Sequence, residues 1–305
     1  MASTLLQLVQ NASVEMGLAM PNTVVGNTAA DVQQLYYLAN ALGNELAREY
    51  PWEALNTEYR FYSQYTQSNG VILEGTNVIT GVDPATVDFI NAHGPTNFQV
   101  QGLGVIQDTY VTAALDTTVT ITGVATGDGD GQYTFGQTKY ALPNGYDRIT
   151  DRTQYDKSKR WEMLGPETPQ QWQWLKSSYI STGPRIRWRI MGQEFQIWPL
   201  TSTNEYLGFE YITTNWAFNT ANEQIPQFQS DSDTCCFPDR LMVLGIKKKY
   251  FEIKGFDTSS FQRDYDMQLN VAKANDQGSP TLSLAPRTAN VLIGWEKIPD
   301  ANYGA

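Results

Sequence analysis

Arg185-Ile186-Arg187-Trp188-Arg189-Ile190-Met191-Gly192-Gln193-Glu194-Phe195-Gln196-Ile197-Trp198-Pro199 decides how the rest of the chain is read. Its first half alternates strictly, with Ile186, Trp188 and Ile190 on one face and Arg185, Arg187 and Arg189 on the other. A period of two marks a half-buried strand. Glu194 to Trp198 repeats the pattern and Pro199 stops it. A two-residue loop at Gly192-Gln193, with glycine supplying a positive φ, sets Ile190 opposite Phe195 and Trp188 opposite Ile197. Both apolar sets then share one face. A third strand at Tyr206 to Ile212 is expected to extend this hairpin into the floor of a β domain.

Outward from the hairpin, both ends of the chain switch to helical spacing. Leu5, Leu6, Val9, Ala12 and Met16 recur at that spacing, with Ser3 or Thr4 as cap. Val32, Leu35, Leu38, Leu42 and Leu46 form a second stripe, with Thr28 as cap and Asp31 at the third helical position. Tyr50-Pro51 ends it, because proline disfavours helix in the residue before it. Near the other end, Pro238 suits a first helical position and Leu241, Leu244, Lys248 and Phe251 share a face. Phe261, Tyr265, Leu269 and Ala272 stripe a last helix. Two amphipathic pairs from opposite ends are buried most economically against each other.

The expected class is therefore α+β: a helical bundle formed from N- and C-terminal helices plus an antiparallel β-barrel or sandwich domain with a small all-β insert. The bundle takes 1–58 and 230–278, and the β domain takes 59–84 and 138–229. The insert, 85–137, is set apart by its Thr, Val, Gly and Asp and its lack of basic residues. Residues 279–305 read as an extended C-terminal arm whose apolar patches need a partner surface.

Composition narrows the function. Charged residues make up 17% and aromatics 12% of the 305 residues, a contact-rich globular profile rather than a disordered one. No stretch approaches the ~20 apolar residues of a membrane-spanning helix. Met1-Ala2-Ser3-Thr4 lacks the basic segment and cleavage site of a signal peptide, so residence in a cytoplasm is expected. A net charge of −11 opposes wrapping of nucleic acid. Adjacent Cys235 and Cys236 read as free buried thiols, since a disulfide between neighbours closes a strained ring. With one histidine, no zinc site is expected. Gly127-Asp128-Gly129-Asp130-Gly131 reads as a turn, because its two carboxylates fall short of the about six to eight oxygens that calcium takes. No cofactor, metal site or catalytic residue is expected.

Several motifs occur in a recognisable order. They are Leu35 to Trp52 with its Tyr50-Pro51-Trp52 ending, Leu142-Pro143-x-Gly145-Tyr146, Arg185 to Pro199, Phe209-Glu210-Tyr211-Ile212, and Phe237-Pro238-Asp239 followed by Lys254-Gly255. In that order they resemble the head-to-tail adaptor (connector, or tail tubular) proteins of tailed, chiefly short-tailed, bacteriophages. The match covers roughly 1–82 and 138–278. Residues 85–137 separately resemble a small β module common in phage tail proteins. The resemblance implies a non-enzymatic virion protein, made in the host cytoplasm and placed at the head-tail junction. It implies a homo-oligomeric ring, typically a dodecamer, docked under the portal protein. A tail nozzle or other tail proteins lie below, and genomic DNA passes through the lumen without specific binding.

The candidate subunit or portal contacts are Arg185, Arg187 and Arg189, the basic run Lys247, Lys248 and Lys249, and the arm residues Leu282, Leu284, Val291, Ile293 and Trp295. The ordinary reading of the arginines is a solvated strand face, and of the lysines a solvated helix face. Two alternatives come from other functional classes. Trp161, Trp172 and Trp174 would form a stacking platform in a glycan-binding tail module. A carboxylate pair across a cleft would serve a tail hydrolase, and His93 alone in a Gly-Pro loop offers that chemistry no support.

Overall fold

The computed structural model describes residues 3–179, 185–201 and 203–276. The arm 279–305, with Leu282, Leu284, Val291, Ile293 and Trp295, lies outside the described residues. The α-helices are α1 (Leu5–Met16), α2 (Ala30–Glu49), α3 (Pro84–Ala92), α4 (Pro169–Trp174), α5 (Asp239–Ile253) and α6 (Ser259–Asp276). With antiparallel sheets and a closed six-stranded barrel, the fold is mixed α+β.

Thr4 caps α1 through a reciprocal capping box with Gln7. The start of α2 differs from expectation: Ala29, not Thr28, precedes the first turn, and Asp31 sits at the second helical position. No side chain caps the first turn of α2; Asn27 only shapes the turn ahead of it, its side-chain oxygen accepting from the Ala29 N–H at 2.9 Å. Pro238 is likewise the residue before α5 rather than its first. α5 packs against α1, α2 and α6. Its Gly245 allows the closest approach, since a Cβ there would lie 2.4 Å from a Leu42 methyl.

One correction concerns 213–229, which the polar composition assigned to the β domain. Trp216, Ala217 and Phe228 are fully buried in the same core as Leu8, Leu42 and Ile246. The Trp216 indole donates to Asn44 Oδ1 at 2.9 Å. Its ring occupies the place where a side chain on Gly43 would stand.

The hairpin has the expected register, Trp188 opposite Ile197 and Ile190 opposite Phe195. Both loop residues adopt positive φ, 63° at Gly192 and 65° at Gln193, which matches a type I′ turn. Its third strand differs from expectation. Lys139–Ala141 pairs with Glu194–Trp198, while Tyr206–Thr213 joins Asn56–Tyr62, Tyr146–Ile149 and Tyr155–Asp156 in a separate sheet. The two sheets face each other instead of continuing one another. Phe195 stacks on Phe209 at 4.9 Å between ring centres, and Trp188 stacks on Phe195 at 5.5 Å.

The barrel closes in the order Tyr65–Ile72, Val78–Thr80, Thr118–Ile121, Thr109–Leu115, Phe98–Gln101, Gly129–Gln137 and back to Tyr65–Ile72. It therefore begins at Tyr65, about twenty residues before the expected boundary of the insert. It is not all-β either. Asp83 caps α3, Pro84 starts it, and Val87 and Ile90 are buried in the barrel core. Tyr65 pairs with Gly136, so the barrel leaves the rest of the protein through two adjacent strands.

Candidate functional site

The expected contact residues go to different places. Arg185 is exposed, whereas the Arg187 guanidinium donates to Glu167 Oε1 at 2.6 Å. Arg189 is half-buried and stands opposite Gln196. The lysine run is taken up within the protein rather than left as an open basic patch. Lys247 reaches Glu15 at 3.3 Å, Lys249 reaches Glu45 at 2.7 Å, and Lys248 lies over the Tyr265 ring at 4.7 Å. Burial works to raise the Glu15 carboxyl, but hydrogen bonds from Arg240 and Lys247 outweigh it and hold it below the usual carboxylate range. The run ties α5 to α1, α2 and α6.

The tryptophans divide. Trp172 is buried with Leu175 and Trp198, while Trp161 and Trp174 are 41% and 54% exposed. Cys235 and Cys236 are free thiols. Burial pushes the Cys235 thiol up to about 12 and also raises Cys236, so neither supplies a thiolate near neutral pH. His93 sits at the end of α3, with Nδ1 2.9 Å from the Phe89 carbonyl oxygen. Asp128 accepts from the Glu74 N–H at 2.8 Å, and Gly129 and Asp130 belong to a barrel strand. Among the described residues no group of three His, Cys, Asp or Glu could hold a metal. Asp156 and Glu205 are neighbouring acids, but they are 3% and 1% exposed and Lys159 is paired to Glu205. That pair is closed to a substrate.

Two surfaces escape the sequence reading. At the barrel end far from its stem, three loops are laced together by backbone bonds. Gly75 N–H donates to Ala125 O at 3.0 Å, Ala125 N–H to Thr76 O at 2.7 Å, and Thr126 N–H to Gly104 O at 3.0 Å. On this tip Leu73, Leu103 and Val124 are 59%, 67% and 58% exposed, with Ile106 close behind. The second surface is an open groove of about 610 Å³ between the 141–147 loop and the hairpin end. Leu142, Pro143, Tyr146 and Ile190 supply its apolar lining. Neither surface has a sequence period, because each gathers single residues from separate loops. Leu142-Pro143-x-Gly145-Tyr146 was the available signal for the groove.

A third contact joins the barrel to the body. Lys176 Nζ lies 2.9 Å from both Asp108 Oδ1 and the Tyr110 hydroxyl. Burial opposes its charge, yet these two partners more than compensate and raise its pKa.

Compared with known proteins, the chain matches no family model and no curated protein. Among the described residues no helix is long and apolar enough to cross a membrane.

Proposed function

We propose that this chain is a structural subunit of a phage head-to-tail adaptor. Its N- and C-terminal helices, α1, α2, α5 and α6, form one bundle that docks on the portal. The sandwich builds the wall of a ring, of twelve copies in the family it resembles, and DNA passes through the lumen toward the tail.

The observation that supports this reading is where the motifs of the resemblance meet. Trp52, closing the Tyr50-Pro51-Trp52 ending, packs edge-on against Phe237 at 5.5 Å, although the two are far apart in sequence. Tyr146 stacks on Tyr211 at 5.8 Å, and the Gly145 carbonyl accepts from the Thr213 hydroxyl at 3.0 Å. The motifs therefore support one another as a scaffold, which is what a mechanical part requires. A barrel without Lys or Arg offers passing phosphates nothing to bind.

Negative-stain microscopy of the protein alone, and mixed with portal rings of its own phage, tests the proposal. Rings capping the portal are expected, and portal that sediments without this chain would overturn it. Exposed Trp161 and Trp174 favour glycan stacking as a second reading. Surface-glycan binding lost on replacing both with alanine would select that reading.

A further inference from the structure

One sheet of the sandwich ends on an open strand. Asn56–Tyr62 pairs with Tyr206–Thr213 along one side, and among the described residues no strand pairs with its other side. Alternate residues of an antiparallel strand turn both N–H and C=O away from their partner. Over 57–61 those outward groups have no hydrogen-bond partner among the described residues; the Gln64 side chain reaches only the Tyr62 carbonyl, at 3.2 Å. Natural sheets cover such an edge, or blunt it with lysine, proline or a bulge. This strand carries none of the three. Its inner face is unfinished as well, since Tyr59 and Phe61 pack against the sandwich core yet stay half-buried.

The chain itself passes beside this edge as it leaves the described residues. Asp276, the last residue of α6, accepts from the Glu53 N–H at 2.7 Å, three residues ahead of Asn56. The sequence then continues to Thr281-Leu282-Ser283-Leu284-Ala285, set between Pro280 and Pro286. This stretch alternates polar and apolar in step with Glu58-Tyr59-Arg60-Phe61. Leu282 lies six positions after Asp276, as Tyr59 lies six after Glu53. The compact turn Glu53–Leu55 shortens the second path, so an extended arm has length to spare.

We infer that 281–285 adds to the open edge of Asn56–Tyr62 in the same copy, as a parallel strand. The arm starts at the Asn56 end, which sets its direction. Leu282 and Leu284 lie beside Tyr59 and Phe61 and complete the inner face. Thr281 and Ser283 share the solvent face with Glu58 and Arg60. Backbone bonds hold the added strand, and the two leucines fix its register. Pro286 ends it. The addition ties α6 to the sandwich, and it does not depend on the adaptor reading.

Residue-resolved hydrogen exchange tests it on the full chain, wild type against Leu282→Asp with Leu284→Asp. Both substitutions sit in the arm, and circular dichroism melts check that the rest stays folded. The outward amides of 57–61 should exchange about tenfold faster or more in the variant, with α1 and α2 amides unchanged. A second measurement fixes register and source. Arg60→Cys with Ser283→Cys should oxidise to a disulfide within one copy, located by peptide mapping. Arg60→Cys with Leu284→Cys places the thiols on opposite faces and should not.

Exchange that is the same in variant and wild type would overturn the strand addition, and so would protection that appears only once portal is added. Failure of the first pair to oxidise, or equal oxidation of both pairs, would overturn the register. A disulfide joining positions 60 and 283 of two copies would assign the edge to a neighbour's arm and overturn pairing within one copy.

Discussion

The barrel and the helical core solve the same problem by opposite means. The barrel is continuous in sequence, Tyr65 to Gln137, and its core is mostly aliphatic, with Ile72, Ile79, Val100 and Val119 closed on themselves by a complete ladder. The helical core draws on residues from Leu5 to Ala272 and is held by polar ties across that span. Asp239 accepts from the Ser3 N–H at 3.1 Å, Asp231 accepts from the Val25 N–H at 2.7 Å, and Lys273 pairs with Glu49 at 2.9 Å. A unit with local contacts can persist when its host is disturbed; a unit built from both ends cannot.

Leu42→Asp should break the comparison most sharply. Leu42 is 1% exposed and fills the gap above Gly245. An unpaired charge there costs about 3–5 kcal/mol. Hydrogen exchange should show the α1, α2 and α5 amides losing protection while the barrel amides keep theirs. Equal loss in both regions would show that they unfold as one unit.

Gly43→Ala probes the same core more gently. A methyl group would fall 2.2 Å from the Trp216 ring, which is fully buried and hydrogen-bonded. The ring must shift, at an expected cost of about 1–3 kcal/mol. Chemical denaturation monitored by tryptophan fluorescence measures it. A neutral result would mean that Trp216 has room to move.

These positions also show what could be read in advance. The hairpin was legible because everything that fixes it is local: alternation, Gly192, and a stop at Pro199. The helical stripes were legible for the same reason, down to Tyr265 and Leu269. Trp216 and Phe228 were not, because isolated aromatics in a polar stretch have no period and their burial depends on helices distant in sequence. Tyr206–Thr213 was recognised as a strand but given the wrong partner, since alternation reveals a buried face and not which sheet supplies it. Asp83-Pro84 ahead of Val87 and Ile90 was a readable helix start, obscured by the β-rich composition around it. The partners of Lys247 and Lys249 lie more than 200 residues away, at Glu15 and Glu45. Nothing in the lysine run itself announces them.

Excising the barrel tests the other side of the comparison. Tyr65 and Gly136 are paired, so Gln64 and Thr138 stand at the ends of adjacent strands and a short Gly-Ser linker can join them. The remaining protein loses the partners of Lys176, at a cost of about 1–2 kcal/mol, and should melt cooperatively a few degrees lower. Joining Asp83 to Gln137 instead should fail, because Tyr65–Ile72 would be kept without most of Gly129–Gln137, its ladder partner. If both deletions behave alike, the barrel is not the unit described.

The smallest expected effect lies at the joint between the two regions. Ser63, two residues ahead of the barrel stem, accepts from the Glu205 N–H at 2.7 Å through its hydroxyl oxygen. The Tyr140 hydroxyl donates to the Gln137 carbonyl at 2.7 Å. Beside them the Glu205 carboxyl is buried, faces Asp156, and leaves Oε2 without a hydrogen-bond partner. Burial raises its pKa; Lys159 works against that rise and Asp156 adds to it. The native state therefore holds this proton more tightly than the unfolded chain does. Stability must then fall as pH rises from the ordinary carboxylate value of 4.5 through the raised native value. Glu205→Gln should remove that decline, because an amide nitrogen in place of Oε2 can donate to Asp156. Lys159 is 39% exposed, so losing its ion partner costs little. At pH 7 the variant should match wild type or exceed it by about 1 kcal/mol, with the difference vanishing below pH 4.5. Melting curves across that range measure it. A variant weaker than wild type at pH 7 would show that the ion pair with Lys159 stabilises the joint by more than burial of the carboxylate costs.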